Sequence, residues 1–73
     1  MTLVRNTKDL GAAIRARRKA KGLTQTELAA LCGTSLRFIT ELERGERAAS
    51  IAKVFTVCSR LALDISIGVR EDA

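Results

Sequence analysis

The stretch "LAALCGTSLRFI", residues 28–39, decides how this chain folds. It is apolar for five residues, breaks at Gly33, offers the hydroxyls of Thr34 and Ser35, and turns apolar again at Leu36. One short helix stops there and another starts at once. Two helices that cross so closely make specific demands. The first needs a small residue where they touch, and Ala29 is small. The turn needs a residue that tolerates positive φ, and Gly33 does. The second needs a β-branched residue to fill the angle between them, and Ile39 fits. Leu28, Cys32 and Leu42 supply the remaining core positions. Helix, tight glycine turn, helix is a helix-turn-helix arrangement.

The flanking sequence supplies the ends of these helices and two more. "TQTELAALCG" opens on Thr24, which with Glu27 forms an S/T-x-x-E capping box. "SLRFITELERG" has Ser35 as N-cap and Gly45 past its end. Upstream, "NTKDLGAAIRARRKAKG" reads as a first helix capped by Asn6, with Leu10, Ala13, Ile14 and Arg17/Arg18 at helical spacing and Gly22 at the left-handed exit. Gly11 costs about 1 kcal/mol against alanine inside a helix, so it reads as a close-packing position. Arg15, Arg17, Arg18, Lys19 and Lys21 crowd the C-terminal half, where the helix dipole favours cations. Downstream, "SIAKVFTVCSRLA" is capped by Ser50, with Ile51, Val54, Phe55, Cys58 and Leu61 as its apolar stripe. The helices are expected at about 7–21, 25–32, 36–44 and 51–62.

The period then changes. In "LDISIGV", Leu63, Ile65, Ile67 and Val69 alternate with Asp64, Ser66 and Gly68, which predicts a strand over about 63–69 with one apolar face. A lone strand cannot satisfy its own backbone, so it is expected to pair with the same strand of a second copy and close a two-fold dimer. The expected fold class is all-α: four helices in a single domain, 1–73, plus this short strand across a homodimer.

Composition narrows the function. A chain of 73 residues supports one domain, and a chain of this size buries only about 60% of its unfolded surface, so a partner surface helps it. Two cysteines far apart, with no CxxC and no histidine, argue against a disulfide scaffold and a zinc site; both read as small core hydrophobes. No apolar run approaches the ~20 residues that span a membrane, and "MTLVRNTKD" has no apolar signal region, so a cytoplasmic protein is expected. A net charge of +5 and a pI near 10.0 favour an anionic partner such as nucleic acid. With no His and no Tyr, the usual general bases are missing, and no glycine loop is arranged to cradle phosphate. No catalytic residue, cofactor or metal is expected.

Residues 8–62, through "GLTQTELA", the Gly33 turn and "ITELERG", resemble the Cro/C1-type (XRE) helix-turn-helix domain. The ending "LALDISIGV" and the leading "KDLGAAIRARRKAKGLTQ" are similar to HipB-type antitoxins, in which a C-terminal strand pairs across the dimer; here the pairing residues are Leu63, Ile65, Ile67 and Val69. The resemblance implies that the helix from Ser35 to Arg44 lies in the major groove. Ser35, Leu36, Arg37 and Glu41, with Thr40 beside them, then face the bases. Arg37 can bridge guanine O6 and N7, and Leu36 can meet a thymine methyl. Glu41 either accepts from a cytosine amino group or repels phosphates. Gln25, flanked by Thr24 and Thr26 at a helix N-terminus, is a backbone phosphate contact, as are Thr34, Arg44 and Arg47. Arg18 and Glu43 are implied as a structural ion pair rather than DNA contacts; Arg15, Arg17, Lys19 and Lys21 read as a mostly solvated face, with a phosphate contact as the alternative for each.

The implied partners are double-stranded DNA with an inverted-repeat operator, a second copy of the chain, and a HipA-like kinase toxin. The implied role is a dimeric repressor of its own operon, a type II antitoxin. A stand-alone phage-type repressor or a restriction-modification controller is the alternative within the class; a protein-only interaction module is the alternative outside it.

Overall fold

A computed structural model describes residues 3–46 and 50–71. It contains four helices: α1 (Thr7–Ala20), α2 (Gln25–Cys32), α3 (Leu36–Glu43) and α4 (Ile51–Arg60). Each begins on a short polar side chain that accepts from a backbone N–H in the first turn, which would otherwise go unpaired. Asn6 accepts from Asp9 at 2.7 Å, Ser35 from Phe38 at 3.0 Å and Ser50 from Lys53 at 3.5 Å. At α2 the exchange is reciprocal: Thr24 Oγ1 accepts from the Glu27 N–H at 3.0 Å, and the Glu27 carboxylate accepts from the Thr24 N–H at 2.9 Å. The Thr24 backbone N–H, and after it the Thr24 hydroxyl, hold the Glu27 carboxyl below its ordinary range.

The helices also end alike. A residue in the left-handed region follows the last turn: Gly22 (φ 70°), Gly33 (φ 65°), Gly45 (φ 77°) and, after α4, Ala62 (φ 56°). The next N–H then reaches back to an orphan carbonyl: Leu23 to Arg18 at 3.1 Å, Thr34 to Ala29 at 3.0 Å, Glu46 to Glu41 at 3.1 Å and Leu63 to Cys58 at 2.8 Å. Three helices stop short of their expected ends, α1 at 20, α3 at 43 and α4 at 60. The discrepancy is largest at α4, because the residue that turns the chain there is an alanine and not a glycine.

Ile14, Leu28, Ala29, Ile39, Leu42, Val54, Val57, Cys58 and Leu61 form the buried core. α3 packs against α1 and α2, and α2 against α4. The α1–α3 seam is tight. A Cβ placed on Gly11 would lie 2.4 Å from the Leu42 carbonyl oxygen and 2.6 Å from that of Glu43. One turn earlier, Thr7 Oγ1 donates to the Gly45 carbonyl at 2.8 Å. The Lys53 ammonium sits 5.3 Å from the centroid of the Phe38 ring, linking α4 to α3.

Two expectations for α4 are corrected. Ile51 and Phe55 are 70% and 51% exposed, while Val57 is fully buried. Val54, Val57, Cys58 and Leu61 make the inward stripe, because that is the side α2 covers. Cys58 is a core residue but Cys32 is only partly buried, and neither is in a disulfide. Burial pushes both thiols up, opposed at Cys32 by the charge of Arg60.

Past α4, residues 63–70 form neither a helix nor a paired strand. Leu63 packs on the core, Ile65 is half exposed, and Ile67 and Val69 are each 97% exposed. The alternating pattern finds no second strand among the described residues, and a strand is defined by the ladder it shares. The root of this tail is fixed: Arg17 Nε donates to the Leu61 carbonyl at 2.8 Å. Arg17 is therefore not part of the solvated face.

Candidate nucleic-acid interface

α3 turns its first residues outward because Ile39 and Leu42, on its opposite side, are held in the core. Leu36 is 48% exposed at the leading end, where its side chain meets no core. The Arg37 side chain is 86% exposed, and its Nε lies 3.3 Å from Glu41 Oε2, one turn further on. Their i, i+4 spacing is the signal in the sequence for this pair. Arg37 and Glu41 thus occupy the same outward face, a cation and an anion side by side. Ser35 is exposed, and its oxygen is engaged by the Phe38 N–H while its own proton remains to be given.

Gln25, at the first position of α2, is tied inward to α3. Its Nε2 donates to Glu43 Oε1 at 3.0 Å, and its Oε1 lies 3.4 Å from Thr40 Oγ1. Thr40 donates more closely to the Leu36 carbonyl, at 2.9 Å. Glu43 in turn receives two hydrogen bonds from Arg18, Nε to Oε2 at 2.7 Å and Nη2 to Oε1 at 3.0 Å. Arg18 Nη1 donates to the Leu23 carbonyl at 2.7 Å. The hydrogen bond to Glu43 raises the Arg18 guanidinium above its ordinary value, against a smaller opposing effect of burial. Arg18, Glu43 and Gln25 therefore join α1, α2 and α3 in one network, which fixes how the outward face of α3 stands against the N-terminus of α2. Nothing in residue spacing reveals the link from Gln25 to Glu43.

Thr24 and Thr26 are exposed beside Gln25, the first engaged in its cap. Arg44 is exposed at the far end of α3, its Nη1 3.9 Å from Glu46 Oε1, too far for a hydrogen bond. Arg47 lies outside the described residues. Thr34 requires a correction. Its Oγ1 is buried with no hydrogen-bond partner among the described residues, so the turn that closes α2 directs this hydroxyl inward. Among the described residues, no group of three His, Cys, Asp or Glu side chains could hold a metal, and no helix is long and apolar enough to cross a membrane.

A helix with an exposed polar leading face, set by a left-handed glycine turn against a second helix that opens on a capping box, defines a helix-turn-helix DNA-binding domain. The chain belongs to the helix-turn-helix family, of the XRE type, which residues 14–67 match. It is 42% identical over 64 residues to the uncharacterized HTH-type transcriptional regulator y4mF of Sinorhizobium fredii (strain NBRC 101917 / NGR234), which spans 88% of this chain and 84% of that protein. Among solved structures it resembles the clp gene regulator ClgR from Corynebacterium glutamicum (37% identity, TM-score 0.74, 81% of this chain and 76% of that one). It also resembles the restriction-modification controller C.AhdI from Aeromonas hydrophila (31% identity, TM-score 0.72, 80% and 84%). HipB in the HipA-HipB-O2-O3 complex shares the fold over 97% of this chain and 100% of its own, at TM-score 0.86 and 21% identity.

Proposed function

We propose that this chain is a sequence-specific DNA-binding transcriptional regulator that works as a symmetric dimer, represses its own operon as a HipB-like antitoxin, and binds a kinase-type toxin. It acts in the cytoplasm, on the nucleoid. The observation that carries the DNA-binding part is the outward face of α3. Leu36, Arg37, Thr40 and Glu41 stand there beside Gln25, with Arg37 86% exposed by side chain and free to reach a groove. Arg37 reads guanine, Leu36 contacts a thymine methyl, Ser35, Thr40 and Glu41 face the bases beside them, and Thr24, Gln25, Thr26, Arg44 and Arg47 hold phosphates.

Two observations support the antitoxin reading. The likeness to HipB extends over 97% of this chain, and HipB has been solved in a HipA-HipB-O2-O3 complex and in an O4 20mer complex. The tail carries Ile65, Ile67 and Val69 on an alternating pattern with no intrachain ladder, which suits addition to a strand of a second copy. The restriction-modification controller is the second reading, favoured by the higher identity to C.AhdI, 31%, over a smaller share of the chain, 80%.

Selection of bound duplexes from a random pool tests the proposal. The expected product is an inverted repeat with half-sites about one helical turn apart. Arg37→Ala should then relax the preference at one base pair of each half-site, at a cost of about 1–3 kcal/mol per contact. Recovery of no preferred sequence, or of a site without two-fold symmetry, counts against it. Co-purification with the product of an adjacent kinase-like gene separates the antitoxin from the controller.

A further inference from the structure

Between α1, α2 and α3 lies an open cleft of about 390 Å³, lined by Arg15, Gln25, Thr40, Glu43 and Arg44. Its electrostatics are lopsided. The Glu43 carboxylate is already taken by Arg18 and by the Gln25 amide, so its charge is cancelled beneath the floor. That leaves the guanidinium groups of Arg15, from α1, and Arg44, from the end of α3. Arg15 makes no hydrogen bond or ion pair with any described residue. The carboxylate nearest Arg44 stands 3.9 Å away, on Glu46. Two cations therefore line one cleft whose own carboxylate, Glu43, is already engaged, and a shared anion relieves their repulsion. Guanidinium forks match the geometry of a phosphate oxygen pair, and Gln25 lines the same cleft at the start of α2, where backbone N–H groups are unpaired.

We propose that this cleft grips one backbone phosphate of duplex DNA through Arg15, Gln25 and Arg44, which makes Arg15 of the first helix part of the DNA interface. This rests on the DNA-binding reading above and extends it to a residue that the recognition helix does not contain. A phosphate contact adds affinity without reading sequence, so Arg15 sets how strongly the protein holds any duplex, while Arg37 sets which one.

The test compares wild type, Arg15→Ala and Arg15→Lys in titrations of the selected duplex and a random duplex of equal length, from 50 to 200 mM KCl. Arg15→Ala should weaken both duplexes by the same factor, about tenfold at low salt. It should also flatten the dependence of log affinity on log salt by about 0.9 per subunit. Arg15→Lys should keep the slope and lose part of the affinity. The melting temperature of Arg15→Ala should not fall below that of wild type, since the side chain has no partner among the described residues to lose. An unchanged salt slope in Arg15→Ala overturns this inference, and so does a loss confined to the selected duplex. A free ion is the other source of the same chemistry. If inorganic phosphate raises the melting temperature of wild type and not of Arg15→Ala, while the DNA slope stays put, the assignment to DNA is wrong. A wild type that binds no duplex at all overturns the functional reading together with it.

Discussion

Arg18 and Glu43, 25 residues apart, meet as a fork of two hydrogen bonds whose side chains are only 9% and 2% exposed. The same carboxylate receives Gln25, so a single buried anion organises three helices. Such a pair is costly to assemble and worse to halve. Arg18→Met or Glu43→Met alone strands a buried charge and should cost about 3–5 kcal/mol. A domain this small has roughly 5 kcal/mol in total. The double substitution, which removes both charges, should recover most of that loss. Urea midpoints of the three variants check this: a double variant as weak as the singles contradicts it.

Gly11→Ala should destabilise the protein although alanine is the better helix former by about 1 kcal/mol. The new methyl would press on the backbone carbonyls of Leu42 and Glu43, at 2.4 and 2.6 Å, which cannot rotate away. The expected net loss is about 1–3 kcal/mol. Only the sign matters for the check: a raised denaturation midpoint would show that the α1–α3 seam is looser than described.

Thr34→Val removes a buried hydroxyl that has no partner. It should stabilise the fold by about 1 kcal/mol and leave DNA affinity unchanged. A drop in affinity without a gain in stability would mean that the hydroxyl swings out to meet a phosphate.

The capping box at α2 should make stability fall in acid. The Glu27 carboxyl titrates below its ordinary value of 4.5 in the folded chain, because Thr24 donates to its charged form. Its contribution is complete above that ordinary value and is lost as pH falls through the depressed one. Glu27→Gln, which keeps an acceptor for the Thr24 N–H, should flatten the acid limb of a stability–pH curve. Thr24→Ala should cost about 1 kcal/mol at neutral pH.

Ala62→Gly should stabilise the chain by about 0.5–1 kcal/mol. Relief of the left-handed strain, about 1–2 kcal/mol for a residue with a Cβ, exceeds the entropy that glycine adds to the unfolded state. Thermal melting of the variant decides this, and a lowered melting temperature refutes it.

Much of this architecture is legible in the sequence, because helix ends are written in local chemistry. Asn6, Thr24, Ser35 and Ser50 cap where their side chains say they should, and Gly22, Gly33 and Gly45 turn the chain where glycine is needed. The misreadings have a common cause, which is dependence on something not local. α4 was expected to reach residue 62 because its exit lacks the glycine that marks the others. Its stripe was expected to include Ile51 and Phe55, because the 3–4 spacing admits more than one face and only the position of α2 selects Val57. The candidate interface divides in the same way. The outward residues of α3 are the ones that the resemblance to the Cro/C1-type domain implies. The inward tie of Gln25 to Glu43, the buried Thr34 hydroxyl and the place of Arg15 on a cleft wall depend on how three helices meet.

The hydrogen bond from Arg17 to the Leu61 carbonyl crosses 44 residues of chain, from the first helix to the foot of the tail. Mechanically it is a strut. Load applied to the tail passes into α1 and, across the seam at Gly11, on to α3, instead of dissipating in a slack hinge. The point from which the tail departs is thereby pinned to the first helix and not left to the chain's own stiffness.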